Sequence, residues 1–405
     1  MSTAGWVLLT CWAVFLCGLA LAAPLTVDDF TFEGPLGSAG TTIERLGENH
    51  FKVSLGHAPE HEDWNNKLQF TILRNAKAKA LTLEVVFETA RGPHYALNEY
   101  SNSFSYDGVN WHPVHWEHGK KESWRHDTMR FPPFEEDKVY VGHQVPMSYE
   151  NLVELVEGWR GNPAVTVRVL GKSLGGRDLY RLELTDPDSP HPRAERWVHY
   201  FANQHPGEHN SQWRMVGMIE WLLSQEGRDA LQRSICHFII MMSPDAPSKG
   251  WYRVNAQGVD MNRTYLPNGA DKATQAHEAY LAQSDLEALM ASELPPTTAW
   301  SIHTWGGPVD PRIIPGPELG SAVGTWMDFA AVLDQNDPRG LVKEMELWPC
   351  DEKKGNNWTE GTHLQFGITS VLCEGAGALY TKEENVASGG VLMKSIAEHY
   401  AGTRP

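Results

Sequence analysis

Cysteine is scarce in this chain. Only five occur among 405 residues, and two of them, Cys11 and Cys17, fall within the first 22 positions. The other three, Cys236, Cys350 and Cys373, are an odd number, which excludes a disulfide framework and leaves buried free thiols as the expectation. Positive charge is scarce too: 34 Lys and Arg against 51 Asp and Glu give a formal net charge of −17. Such a chain has no broad basic footprint, so nucleic acid is not an expected partner, although a local positive pocket for an anionic ligand is compatible with the balance. No internal repeat and no low-complexity linker is found.

The N-terminus carries a long uncharged run from Gly5 to Ala22 that ends in the small-x-small pattern Ala20-Leu21-Ala22. Residues 1–22 are therefore expected to be a signal peptide, with the mature protein secreted or periplasmic and starting near Ala23. The n-region has no Lys or Arg, and the run is long enough to compete as an uncleaved anchor. A stable membrane partner is expected only in that second case.

At 405 residues and 41% hydrophobic content the chain can form two domains. Residues 24–145 hold short alternating runs, such as those starting at His50, Leu68 and Leu81, separated by turns rich in Gly, Pro and Asn. This period of two with no helical pattern predicts a small antiparallel β-sandwich. Its aromatics, including Trp64, Trp111 and Trp124, fit core and interface packing better than a sugar platform.

Residues 146–405 read differently. Ser148 is a good N-cap, and Tyr149, Leu152, Val153 and Val156 follow at helical spacing. A strand pair over 165–170 and 179–184, a strand over 197–202, a helical face from Met215 to Leu223 and an apolar strand over 236–242 then alternate. Alternation of this kind predicts an α/β domain with a mixed sheet flanked by helices, whose sites lie beyond the carboxyl ends of its strands.

The chemistry gathers at His205-Pro-Gly-Glu208-His209. One reading is an inverted zincin helix in which His205 and His209 bind metal and Glu208 is the base. Pro206 opposes it, because its ring disfavours helical geometry at His205, and Gly207 weakens a helix further. The other reading places His205 at a strand end and Glu208 in the following turn, both facing one zinc ion. A bland alternative remains, in which Glu208 only complements a helix dipole. Two further strands, over 298–302 and 367–373, end in His303 and Glu374 beside glycines, positions suited to a metal ligand and a carboxylate base.

Taken in order, His205-x-x-Glu208, Gly258-Val-Asp-Met-Asn-Arg263, His303 and Glu374 resemble the zinc carboxypeptidases of the carboxypeptidase A superfamily. The preceding sandwich-like segment resembles that of the cytosolic carboxypeptidase branch and its bacterial relatives. The resemblance implies one zinc per chain, held by His205, Glu208 and His303, with Glu374 as general base. It also implies that Asp260 orients His205, that Asn262 and Arg263 hold the substrate's terminal carboxylate, and that Arg253 polarises the scissile carbonyl. Gly207 stands where digestive members carry a basic residue and His209 where they carry an aromatic one, so no side-chain preference is implied. Lys353 and Lys354, shortly before the strand that carries Glu374, fit a solvated loop better than a preference for acidic side chains. The resulting expectation is a metallocarboxypeptidase acting on peptide or protein C-termini. The alternatives are an amidohydrolase of the same superfamily acting on acyl amino acids or cell-wall peptides, and a zinc-holding binding protein without turnover.

Overall fold

The structure is a computed structural model that describes residues 23–87, 102–117, 126–304, 313–319, 323–341, 355–375 and 381–401. The expected signal peptide, Trp124, Cys350, Lys353 and Lys354 lie outside these residues. Among the described residues no helix is long and apolar enough to cross a membrane.

The N-terminal part is built from two five-stranded sheets facing one another. The first runs β1 (Phe30–Thr31), β6 (Phe70–Ile72), β12 (Val139–His143), β8 (Asn102–Ser105), β9 (Trp111–Pro113). The second runs β10 (His115–Glu117), β11 (His126–Phe131), β7 (Leu81–Val86), β3 (His50–Ser54), β2 (Thr42–Gly47). Strict alternation explains the packing: in β7, Leu81, Leu83 and Val85 are buried while the residues between them are half-buried. They meet Phe70, Ile72, Phe104, Val139 and Val141 of the facing sheet in one apolar cluster. The sandwich is not wholly antiparallel as expected, because β3 and β7 pair in parallel. Between those two strands the chain crosses to β6 in the other sheet, and this long connection lets it return in the same direction.

A small hairpin, β4 (His57–Ala58) with β5 (His61–Asn65), lies on that connection and reaches the second half of the chain. The His61 ring stacks on Trp64 with centroids 3.8 Å apart, and its Nε2 lies 2.7 Å from the Gly258 carbonyl. Gly258 has φ +72°, and a Cβ there would strike the Pro59 carbonyl.

Helix α1 (Tyr149–Arg160) starts as expected: the Ser148 hydroxyl accepts from the Asn151 amide, and Leu152 and Val156 are buried. Removing such a cap costs about 1 kcal/mol. Next comes a seven-stranded sheet in the order β13 (Val165–Lys172), β14 (Asp178–Leu184), β16 (Ser234–Ile239), β15 (Trp197–Ala202), β17 (Thr298–Ile302), β19 (Thr369–Gly375), β18 (Ile313–Leu319). The four strands β16, β15, β17 and β19 are mutually parallel, and antiparallel partners flank them.

Both faces are covered, which is why these strands are apolar throughout. Phe201, Phe238 and Trp300 pack on one face with α2 (His209–Leu223), α3 (Arg228–Arg233), α5 (Val323–Asn336) and α7 (Lys382–Ala401). Tyr200, Ala202 and Ile239 face the other way, toward α4 (His277–Met290) and Trp358 of α6 (Trp358–Phe366). Helices α2 and α7 approach closely through glycines: a Cβ on Gly217 would strike the Val386 carbonyl, and one on Gly389 would strike the Arg214 carbonyl.

Two strand limits differ from the sequence reading. β16 stops at Ile239, where the backbone of Asn203 bonds both the Ile239 carbonyl and the Met242 amide and turns the chain aside. β19 starts at Thr369, because Gly367 closes α6 in a left-handed conformation with φ +68°. It then runs on to Gly375 and takes Glu374 into the strand. Cys236 and Cys373 are buried free thiols, as expected.

Candidate metal centre

Three parallel strands bring the candidate groups to one edge of the sheet. His303 directly follows Ile302 of β17, and its amide donates to the Cys373 carbonyl of β19 at 2.7 Å. Glu374 is the next residue on β19. His205 follows β15 by a short turn, held where the Gly207 amide donates to the Tyr252 carbonyl at 2.8 Å. Helix α2 begins only at His209, with Glu208 as its N-cap. The inverted zincin reading therefore fails for the reason Pro206 gives, since His205 is not helical. His209 is buried between Gln212 and Gln69 and takes no part in the cluster.

Donor atoms of His205, Glu208 and His303 all lie within 4.8 Å of one another, and all three residues are buried. Nδ1 of His205 is 2.8 Å from one oxygen of Glu208, and Nδ1 of His303 is 2.9 Å from the other. The far nitrogens are held separately. His205 Nε2 meets Asp260 Oδ1 at 3.0 Å, and His303 Nε2 meets the Ser301 hydroxyl at 2.9 Å. Ser301 donates its own proton to Gln204 at 2.6 Å, so it accepts from His303. Both rings are thereby assigned to present Nδ1 toward Glu208.

The electrostatics are those of a crowded acidic site. Burial alone would depress the His205 pKa, but the carboxylates of Glu208 and Asp260 overcome it and hold it up at about 10. Burial would raise Glu208, yet His205 and His303 bring it down to about 2. Asp260 is likewise held below its usual range, His205 and Arg253 outweighing burial. Glu374 goes the other way: burial raises it and the Glu208 charge adds to that, against the pull of His303, His205 and Arg253. These couplings put Glu374 in the electrostatic neighbourhood of the cluster.

The remaining candidates sit around it. Asp260 caps the short turn Met261–Arg263 by accepting from the Asn262 amide at 2.9 Å, and its second oxygen takes Arg253 Nε at 2.8 Å. Arg253 is thus tied to the group that holds His205. Asn262 is buried, its side-chain Oδ1 accepting from the Trp358 amide at 2.8 Å and its Nδ2 lying 3.4 Å from His303 Nε2. Arg263 is exposed, with one guanidinium nitrogen on the Asn262 carbonyl at 2.7 Å. Sequence reasoning missed Ser301, Gln204 and Arg214, the last fully buried with Nη1 donating to the His303 carbonyl at 3.2 Å. Ser301 was within reach, since it stands two residues before His303 and so on the same strand face.

Two imidazoles and a carboxylate converging in a buried pocket, with the far ring nitrogens occupied, make a donor set that fits a catalytic zinc ion. An ion there would displace the His205 proton and replace the direct contacts among the ligands. Fold and site together define an α/β protein with a β-sandwich in front and a buried donor set suited to one zinc ion.

The sequence pattern of the zinc carboxypeptidase family matches residues 159–293. Cytosolic carboxypeptidase 2 of Danio rerio is 32% identical over 178 residues, covering 42% of this chain and 23% of that protein. Cytosolic carboxypeptidase 3 of Mus musculus is 30% identical over 175 residues, covering 42% of this chain and 16% of that protein. The chain thus matches less than a quarter of the length of these relatives. A metallo-carboxypeptidase from Burkholderia cenocepacia superposes with a TM-score of 0.75 at 19% identity, covering 92% of this chain and 99% of that one. Residues 159–293 thus carry the sequence pattern of the zinc carboxypeptidases, and the fold is shared with a solved metallo-carboxypeptidase.

Proposed function

We propose that this protein is a zinc-dependent metallocarboxypeptidase that removes the last residue from peptides or proteins. The observation that carries the reading is the convergence of His205, Glu208 and His303 at one sheet edge with Glu374 on the adjacent strand. Bound zinc supplies the acidity that makes water a nucleophile near neutral pH and a positive centre for the developing oxyanion.

The chain's own residues do the rest. Glu374, pushed upward by its partly buried position, is suited to accept a proton from the attacking water and return it to the departing amine. Asp260 fixes the His205 ring, and Arg253, tied to Asp260, is assigned to the scissile carbonyl. Asn262 and Arg263 are assigned to the terminal carboxylate. One observation keeps the amidohydrolase alternative in play: Asn262 is bonded to Trp358 and lies against His303, and Arg263 is exposed, so the carboxylate anchor is less enclosed than the metal centre.

The test compares one peptide as free acid and as C-terminal amide, read by mass spectrometry. A carboxypeptidase trims the acid stepwise and spares the amide. Equal cleavage of both, or internal cleavage, rejects the carboxylate anchor and selects an amidohydrolase or endopeptidase. No cleavage by zinc-loaded protein selects the acyl-amino-acid or binding-protein readings. We further propose export directed by residues 1–22, with the sandwich at 24–145 and the catalytic part at 146–405. N-terminal sequencing of native protein should give a start near Ala23, and an intact Met1 would reject cleavage.

A further inference from the structure

Lys67 belongs to the N-terminal part of the chain, between β5 and β6, yet it is only 3% exposed and lies against the second half. Placing a lysine there is costly, because burial works against the ammonium form. Four observations show what surrounds it. The Lys67 amide donates to the Gly250 carbonyl at 2.8 Å, which pins the backbone. Its Cε lies 2.8 Å from where a Cβ on Gly207 would stand, so the stem passes directly against the turn between His205 and Glu208. Its Nζ lies 4.9 Å from the centroid of the Tyr252 ring. The same Tyr252 receives the Gly207 amide through its carbonyl at 2.8 Å.

The polar groups around it come from both parts of the chain. The Glu208 carboxylate acts on Lys67 and opposes the effect of burial. Burial and the nearby Lys67 both push His143 and His209 well below the usual histidine range. Gln69, two residues beyond Lys67, reaches His209 with nitrogens 3.4 Å apart, and Gln212 bonds the Pro206 carbonyl at 3.0 Å. Residues 67–69 thus press on the turn from one side while α2 holds it from the other.

We infer that Lys67 is a positioning residue of the metal centre: its stem and amine brace Gly207 and Tyr252 so that His205 and Glu208 face the ion. This rests on His205, Glu208 and His303 being the metal site. The consequence is that the N-terminal sandwich is a structural part of that site. A glycine is required at 207 because the space a side chain would need is filled by Tyr252 and by Lys67. On that side the turn packs against the Tyr252 backbone and the lysine stem together.

The experiment uses the full chain loaded with zinc. Zinc affinity is measured by competition with a chelator for wild type, Lys67→Met, Lys67→Ala and His303→Ala, with the melting temperature of each metal-free protein recorded alongside. Groups that orient metal ligands are typically worth 10–100-fold in metal affinity or activity. Lys67→Ala is expected to weaken zinc binding within that range, and Lys67→Met, which keeps most of the stem, by a smaller factor. At saturating zinc the remaining loss should fall on kcat and not on KM. Cobalt-substituted Lys67→Ala should show a shifted visible spectrum, which a loss of stability alone does not produce. If Lys67→Ala does not fold, Lys67→Met decides the matter. Wild-type zinc affinity and an unshifted cobalt spectrum in the folded Lys67 variants overturn the inference. Retention of zinc by His303→Ala overturns the metal-site reading instead, so the two failures are separate.

Discussion

Two places in the seven-stranded sheet bury charge, and they do so to different ends. On the flank, Arg181 of β14 holds Asp285 of α4 by both oxygens, at 2.9 and 3.1 Å, and the Tyr200 hydroxyl adds a bond at 3.1 Å. One cation is bonded to one anion there, with Arg168 adding a further positive pull on Asp285. At the carboxyl edge, the carboxylates of Glu208, Asp260 and Glu374 share a small volume with Arg253 and, beneath the turn, Lys67. Before the histidines are counted the three carboxylates outnumber Arg253 and Lys67, and His205 is drawn to a pKa of about 10 in response. Burial of charge is common to both places; a surplus of one sign, in a place that can take an ion, is what marks the site.

The comparison can be broken experimentally. The largest effect belongs to the metal ligands: His205→Ala or His303→Ala should lose stoichiometric zinc by metal analysis, and turnover with it. Full zinc content in either variant would remove that residue from the ligand set. Glu374→Gln should keep zinc and fold while kcat falls by ~10²–10⁴, because an amide cannot accept the proton. Activity within a few-fold of wild type would remove Glu374 as the base.

On the flank the loss should appear elsewhere. Arg181→Met leaves Asp285 buried without its cation and should lower unfolding free energy by roughly 3–5 kcal/mol, with zinc content and kcat/KM of the folded protein unchanged. Restoring balance with Asp285→Asn should recover much of that stability in denaturant titrations. If the flank variant loses zinc, the two places are coupled and the contrast fails. Asp260→Asn should have the mildest effect, about 10–100-fold in zinc affinity or activity, since it removes only the charge that steadies His205.

Much of this was legible in the sequence because the relevant patterns are local. Alternation located β7, the Ser148 cap located α1, and Pro206 was enough to reject a helix through His205. The strand-end rule placed His303 and Glu374 before any geometry was known. What escaped depends on partners distant in the chain. The parallel pairing of β3 with β7 follows from a crossing between sheets that no residue signals. The enclosure of Asn262 by Trp358 and His303, and the exposure of Arg263 beside it, could not be read from an Asn-Arg pair that looks uniform in sequence. Nothing near Lys67 in sequence tells that Gly207 lies against its stem.

The glycine contact between α2 and α7 bears on the order of assembly during synthesis. Gly217 fits only against the backbone at Val386, and Gly389 only against the backbone at Arg214, so each helix is the other's seat. Helix α2 begins at the turn that carries His205 and Glu208, and its Arg214 supports the carbonyl of His303. A ribosome that has made β15 and α2 has therefore not yet made the helix that fits against the glycine of α2. Until residues near 389 emerge, α2 lacks the part of its cover that α7 gives, and the metal ligands before it lack part of their support. A nascent chain with every zinc ligand already translated would still be a poor zinc binder.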